Sequence, residues 1–419
     1  MMKKITYSSI IVLLLILSCL TSCSNRNKTI LEERLQKVLD EKISKYDVRG
    51  VSAAVIFPDQ KIWTGVSGIS YDTVSMKTDM LFAIGSITKN VVATLTLKLA
   101  EEGMLSLDDP LSNWLPEYPH VNSAITIRQL LNHTSGIYMF WSNQKIWDDL
   151  KNDRYKIWTP EEIISYIKKP YFAPGEGWRY SNTNYLLMAM IIEKASDSSL
   201  SAEFRKYFWQ PLEIENAFLS IKEEIPDNLA HVFGDNYNDD GSVLDLTYLP
   251  RASHESITYG SGGLFMTAED LARWGQSLFE GEVLDQKSMD EMLKFVDIGF
   301  GSKKRGYGLG VELFTKRTAS GKKAIGHSGA NIGTSVYMVH LPEHHFTFVV
   351  IINDFNHDCS LAITKALTKE VLIEFNILGI IPYFDFFPLG FLIIGATTTL
   401  LIIILIRFRR RLKSKTKFN

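Results

Sequence analysis

Three short segments carry side chains suited to acting on an amide or ester bond. In Ser86-Ile87-Thr88-Lys89 a hydroxyl and an amine stand three positions apart, a spacing that puts both on one face of a helix and lets them meet. The segment opens an apolar-patterned stretch. Unpaired N–H groups and the positive dipole end at such a helix start favour negative charge developing near the serine oxygen. Tyr180-Ser181-Asn182 is the only Y-x-N in a chain with 17 tyrosines, and His327-Ser328-Gly329 is its only H-[ST]-G. The S-x-x-K spacing alone is weak, because it recurs at Ser142, Ser165, Ser320 and Ser414. Ser86 stands apart through its setting, the others falling in polar stretches, on a short exposed-looking helix or in the basic C-terminal tail.

The elements that must position these groups can be read from periodicity. Residues 86–102 read as a helix, with Ile87, Val91, Leu95 and Leu99 on one stripe and Gly103 as its stop; Val92, Ala93 and Leu97 fill other faces, so it should be buried nearly all round. Ile30 to Tyr46 reads as an amphipathic helix, and Val51–Phe57 and Lys61–Ser67 as strands around a Pro58-Asp59-Gln60 turn. From about Asp108 to Asp285 the pattern is helical, through Ile125–Leu131, Pro160–Ile167, Asn184–Ala195 and Ala268–Phe279. Strand character returns at Tyr307–Phe314, Lys323–His327, Ser335–Leu341 and Phe346–Asn353, before a helix from Leu361 to Phe375. The expected architecture is α/β of the α+β type: one antiparallel sheet completed by early and late segments and flanked by helices, with an all-helical lobe inserted between them.

In their order along the chain, these three segments resemble the serine β-lactamase and penicillin-binding protein superfamily, in its class C β-lactamase, D,D-carboxypeptidase, D-aminopeptidase and esterase branch. Leu130 to Gly136 (L-L-N-H-T-S-G), Pro174 to Asn182 (P-G-E-G-W-R-Y-S-N) and Gly260 to Leu264 (G-S-G-G-L) are similar as well, and the resemblance covers roughly residues 30–375. It implies a β-lactamase-like fold and an acyl-enzyme on Ser86. Lys89 would have to be neutral to act as base, and Tyr180 would relay a proton between Lys89, Ser86 and the leaving group; which of the two is the base stays open. Asn182 is expected to bond a substrate amide or Lys89. The N–H groups of Ser86 and Ala330 would form the oxyanion hole beside His327, Ser328 and Gly329. Histidine at 327, where many relatives carry lysine, weakens the demand for an anionic substrate and shifts weight from a dedicated β-lactamase toward a peptidase or esterase. The resemblance implies peptide, ester or β-lactam substrates, cell-wall-type D-amino acid peptides foremost. A carboxylesterase and a silent β-lactam sensor are the alternatives.

No metal or cofactor is called for. His254-Glu255 lacks the second histidine of H-E-x-x-H, and His344 and His345 fall in an expected hairpin turn. His133 is expected to shape a loop, and the three glycines of residues 260–264 to permit a tight turn. Tyr138, Trp141 and Trp147 could line a cleft or pack in the core.

The chain's net charge of −2 conceals an asymmetry. Residues 1–23 and 386–419 hold nine bases and no acid, leaving 36 bases and 47 acids between Ser24 and Asp385. That acidic body disfavours nucleic acid as a partner. Lys3 and Lys4, an apolar run from Ile10 to Leu20 and Thr21-Ser22-Cys23 have the order of an export signal, and L-T-S-C resembles a lipobox that would lipidate Cys23. Phe386 to Ile406 is uncharged over 21 residues, about 31 Å as a helix, and seven bases follow it. This reads as a transmembrane helix with a cytoplasmic tail and an outward-facing body. The expected divisions are 1–23 (signal), 24–376 (hydrolase domain), 377–406 (membrane-proximal segment and span) and 407–419 (tail).

Overall fold

The computed structural model describes residues 30–235, 243–247, 251–298 and 305–379. Cys23 and the apolar run 386–406 lie outside them, and no helix among the described residues is long and apolar enough to cross a membrane. The chain divides into two compact units, Met1–Glu370 and Val371–Asn419; of the second, the described part is the last turn of a helix and the turns up to residue 379. All that follows concerns the first.

Fourteen strands are present among the described residues: β1 (Gly50–Ile56), β2 (Ile62–Tyr71), β3 (Val74–Ser75), β4 (Phe82–Ala83), β5 (Ala217–Leu219), β6 (Phe233–Asp235), β7 (Val243–Asp245), β8 (Leu264–Met266), β9 (Val296–Asp297), β10 (Gly306–Tyr307), β11 (Glu312–Leu313), β12 (Ile325–Asn331), β13 (Thr334–Leu341) and β14 (Phe346–Ile352). The main sheet runs β3-β2-β1-β14-β13-β12-β11-β10-β9, antiparallel throughout. Early and late segments meet where β1 pairs β14, Val51 opposite Ile352. Both strands are buried at every position, which follows from covering by helices on both faces. On one face lies α1 (residues 30–46), whose Gln36 donates to the Val66 carbonyl at 2.9 Å. The other face carries a helix beginning at Ala268, described below.

The remaining helices are α2 (Thr88–Glu101), α3 (Ile127–Leu131), α4 (Gln144–Asn152), α5 (Pro160–Ile164), α6 (Asn182–Ser196), α7 (Leu200–Phe204), α8 (Arg251–Gly262), α9 (Ala268–Phe279), α10 (Gln286–Met292) and α11 (His357–Glu374). Helix α9 packs on β1, β13 and β14, and α2 on α6, α8 and α10. The lobe between the two halves of the sheet is not all helical, contrary to expectation: β4, β8 and β5 form a three-stranded sheet within it, and β6 and β7 a ribbon. Strands of two or three residues are too short to show an alternation, and only long-range pairing creates them. The expected strand over residues 307–314 is also two strands, β10 and β11. Gly308 N donates to Val311 O at 2.8 Å, and Gly310 sits at φ +67 where a Cβ would lie 2.8 Å from the Lys89 carbonyl, so glycine lets this turn press against α2.

That turn is tied to α2 by Asn90. Its side chain is fully buried, accepts from Trp274 Nε1 at 2.9 Å and donates to Gly310 O at 3.2 Å. Asn90→Leu strands a buried N–H and a carbonyl at a cost of about 1–3 kcal/mol each. Urea unfolding should therefore show a loss of about 2–6 kcal/mol, and Trp274→Phe, which leaves the Gly310 contact intact, should lose less.

Candidate active site

Ser86 sits in a short 3-10 turn, Gly85–Ile87, that leads directly into α2. One turn on, Lys89 is fully buried. Its Nζ lies 2.9 Å from Ser86 Oγ and donates to the Ser261 carbonyl at 2.6 Å. No carboxylate is within ion-pair range of it among the described residues, and burial holds its pKa well below the usual lysine value, opposed only by the more distant charge of Glu312. Burial thus favours the neutral amine.

The carbonyl that meets Lys89 comes from the G-S-G-G-L segment. Helix α8 is broken at Tyr259 (φ 23, ψ −111), and Gly260 lets it close on α6, since a Cβ there would stand 2.6 Å from Ala189 Cβ and 2.7 Å from the Tyr185 carbonyl. The expected tight turn is thus a kinked helix end. Its function was hidden from sequence because the acting group is backbone, and the glycines were its only trace.

Tyr180 ends the loop before α6 and lines the same cleft as Ser86. The Lys89 Nζ stands 4.9 Å from its ring centroid. Burial drives the phenol well above its usual pKa, so the environment favours the uncharged form of both Tyr180 and Lys89. His133 packs against this ring at 4.3 Å between centroids. Its Nδ1 receives the Ser181 amide at 3.3 Å and the Asn184 carboxamide at 3.1 Å, while its carbonyl receives the Arg179 N–H at 3.1 Å. Burial lowers its pKa far below 6.5. It shapes the loop as expected, at φ +63, and it also fixes the Tyr180 ring. Asn182, the first residue of α6, does not bond Lys89 and is not among the residues lining the cleft; among the described residues its buried Oδ1 has no partner.

The opposite wall is β12. The H-S-G triplet lies in the middle of this strand rather than at its end, and the strand runs against the nucleophile turn at backbone contact. A Cβ on Gly329 would lie 2.1 Å from the Ile84 carbonyl, and one on Gly85 (φ +54) 2.2 Å from the Ala330 carbonyl. Only paired glycines permit this, and the approach brings Ala330 to the edge of the cleft beside Ser86. His327 is buried, with Nδ1 2.6 Å from the Ser328 carbonyl and Nε2 2.8 Å from the Tyr307 hydroxyl. A carbonyl only accepts, so Nδ1 carries the proton and Nε2 accepts from Tyr307. Burial, the largest influence, lowers the His327 pKa below 6.5; the ring is neutral.

Ser86, Tyr180, His327, Ser328, Gly329 and Ala330 all line one cleft of about 300 Å³. Sequence reasoning missed six other residues that line it: Trp178, Ile298, Arg305, Tyr307, Glu312 and His357. Trp178 lies inside a segment already recognised, while Glu312 occupies a two-residue strand with no motif. Tyr138, Trp141 and Trp147 do not line it; Trp141 and Trp147 pack on each other at 4.4 Å, and Tyr138 packs on Tyr171. No group of three or more His, Cys, Asp or Glu among the described residues is placed to hold a metal ion.

Known proteins share this architecture. The chain is 30% identical over 293 residues to penicillin-binding protein 4* of Bacillus subtilis, covering 66% of this chain and 62% of the relative. It is 26% identical over 310 residues to an esterase of Burkholderia gladioli, covering 67% and 78%. The chain spans less than two thirds of the Bacillus relative's length. A D-amino acid amidase from Ochrobactrum anthropi, solved with L-phenylalanine amide, superposes with a TM-score of 0.72 at 26% identity, over 83% of this chain and 99% of that one. The family model described as beta-lactamase matches residues 32–370, and with the S-x-x-K, Y-x-N and H-x-G elements converging on one cleft, this chain belongs to the β-lactamase family.

Proposed function

We propose that the protein is a serine hydrolase that forms an acyl-enzyme on Ser86 with amide or ester substrates of the D-amino acid type, held at the outer face of a membrane. The observation that carries this reading is the buried Lys89 amine 2.9 Å from a serine hydroxyl that opens onto a cleft. A neutral amine keeps one lone pair. With one N–H engaged by the Ser261 carbonyl, that lone pair can take the Ser86 proton as Oγ attacks.

Tyr180 is held protonated by its burial, which suits it to donate to the leaving group and to be recharged from Lys89. Base and acid are thereby assigned by environment: the lysine is pushed down and the phenol up. The N–H groups of Ser86 and Ala330 would receive the developing oxyanion. The likeness to a D-amino acid amidase supports the substrate class.

A plain esterase is the second reading. It is favoured by His327, whose neutral, buried ring supplies no fixed charge for a substrate carboxylate. Turnover of p-nitrophenyl esters against D-Ala-D-Ala peptides separates the two.

Intact-mass spectrometry after treatment with a β-lactam or other active-site acylator should give one adduct, mapping to the peptide that holds Ser86 and absent from Ser86→Ala. An adduct on any other residue ends this reading. The pH dependence has a definite sign. Because neutral Lys89 is the active form, kcat/KM should rise with pH through a lysine pKa well below 10.5 and stay level until Tyr180 ionises. Lys89→Met should cost on the order of 10²–10⁴ in kcat/KM and abolish the acid limb. For anchoring, Cys23→Ser combined with a stop after residue 379 should move the protein from the membrane to the soluble fraction, and either change alone should leave part of it bound.

A further inference from the structure

Glu312 faces the cleft from the strand beside β12, and its contacts change what the H-S-G wall can bind. Its Oε1 accepts from both the Ser328 amide, at 2.9 Å, and the Ser328 hydroxyl, at 2.7 Å. The hydroxyl proton is thereby committed to a carboxylate. Ser328 can then offer a ligand only oxygen lone pairs, and the neutral imidazole of His327 has both nitrogens engaged. Glu312 Oε2 has no hydrogen-bond partner among the described residues. What this wall presents to a substrate is therefore one negative charge and acceptors, where a lysine in place of His327 would present a cation.

We infer that the site selects acyl groups bearing a free ammonium near the scissile carbonyl, with Glu312 as the residue that receives it. The inference rests on the serine-hydrolase reading above and names its substrate class: aminoacyl amides or esters rather than N-acylated or anionic ones. Two features bear on the strength of the selection. The Glu312 side chain is only 17% exposed, so its field reaches the cleft with little screening, whereas an exposed charge is damped by water and salt. Arg305 lies on the same cleft wall but is exposed and makes no ion pair with Glu312. It is a competing feature, because it would favour a substrate carboxylate.

The test is a matched series of D-alanine p-nitroanilide (ammonium), its N-acetyl form (neutral) and its N-succinyl form (carboxylate), assayed on wild type, Glu312→Gln and Arg305→Gln. Wild type should favour the ammonium substrate over the acetylated one by roughly ten-fold in kcat/KM, with the succinylated one poorest. Glu312→Gln should bring that ratio close to one, chiefly through KM. Because Glu312 also acts on Lys89, the binding measurement on Ser86→Ala separates recognition from any effect on the base. A ratio unaltered in Glu312→Gln overturns the inference, as does a wild-type preference for the succinylated substrate that Arg305→Gln removes. Calorimetric binding of D-alaninamide and N-acetyl-D-alaninamide to Ser86→Ala reads the same preference without turnover. A protein that hydrolyses none of the series would thus sink the hydrolase reading, while tighter binding of the ammonium ligand, or its absence, would still decide the role of Glu312.

Discussion

The chemistry of this protein turns on a lysine that has been taken out of water without a counter-ion. Burying a charged ammonium costs far more than a folded domain's net stability can absorb, so the group gives up its proton instead. Burial pushes Lys89 in that direction, between a serine hydroxyl and a backbone carbonyl. Every neighbouring element serves that arrangement. Helix α2 is buried on nearly all sides, α8 is broken so that the Ser261 carbonyl turns inward, and α6 sets the Tyr185 ring centroid 5.8 Å from the amine. The linkage sign follows: over the interval between the folded and unfolded lysine pKa values, the unfolded chain binds a proton that the native state refuses, so stability falls as pH drops through it. Reactivity here is held at the expense of stability.

A second constraint is steric. The strand carrying Ala330 and the turn carrying Ser86 touch backbone to backbone, and only Gly85 and Gly329 leave room for it. Two amide groups from distant parts of the chain can converge on one oxygen only if the segments bearing them approach this closely. The contact is also where the sheet is coupled to the helical lobe, since β12 leans on the turn that opens α2. Catalytic geometry and tertiary assembly are therefore one packing problem, and a methyl group at either glycine would disturb both.

Much of this was legible from residue order. Ser86 and Lys89 announce themselves because an i,i+3 spacing has a direct spatial meaning on a helix. The sheet was readable because β1, β13 and β14 are long enough for an apolar run to stand out, and α9 because its apolar face repeats over three turns. What stayed hidden had no local signature. Ser261 acts through its carbonyl, which every residue possesses. Strands β4, β5 and β8 exist only because they pair with each other. Residues 307–314 were read as one strand because Tyr307, Leu309, Val311 and Leu313 alternate, yet Gly308 and Gly310 fold that alternation into a turn. Glu312 emerges only from that turn, which is why a residue so close to the nucleophile escaped a motif-based reading.

Glu312 also links recognition to the protonation of Lys89. Its charge is the opposing influence that favours a proton on Lys89, and it acts likewise on His327. With the cleft empty, the carboxylate therefore works against the neutral amine that the reaction needs. A cationic group seated beside Glu312 would cancel part of that field, and the Lys89 pKa would fall further as a direct result. The substrate would then raise the fraction of Lys89 in the neutral form that can take the Ser86 proton, whereas a neutral or anionic ligand would leave Lys89 under the full influence of the carboxylate. Selectivity of that kind appears in the proton affinity of a residue the substrate's ammonium never touches, and it requires no movement of the protein.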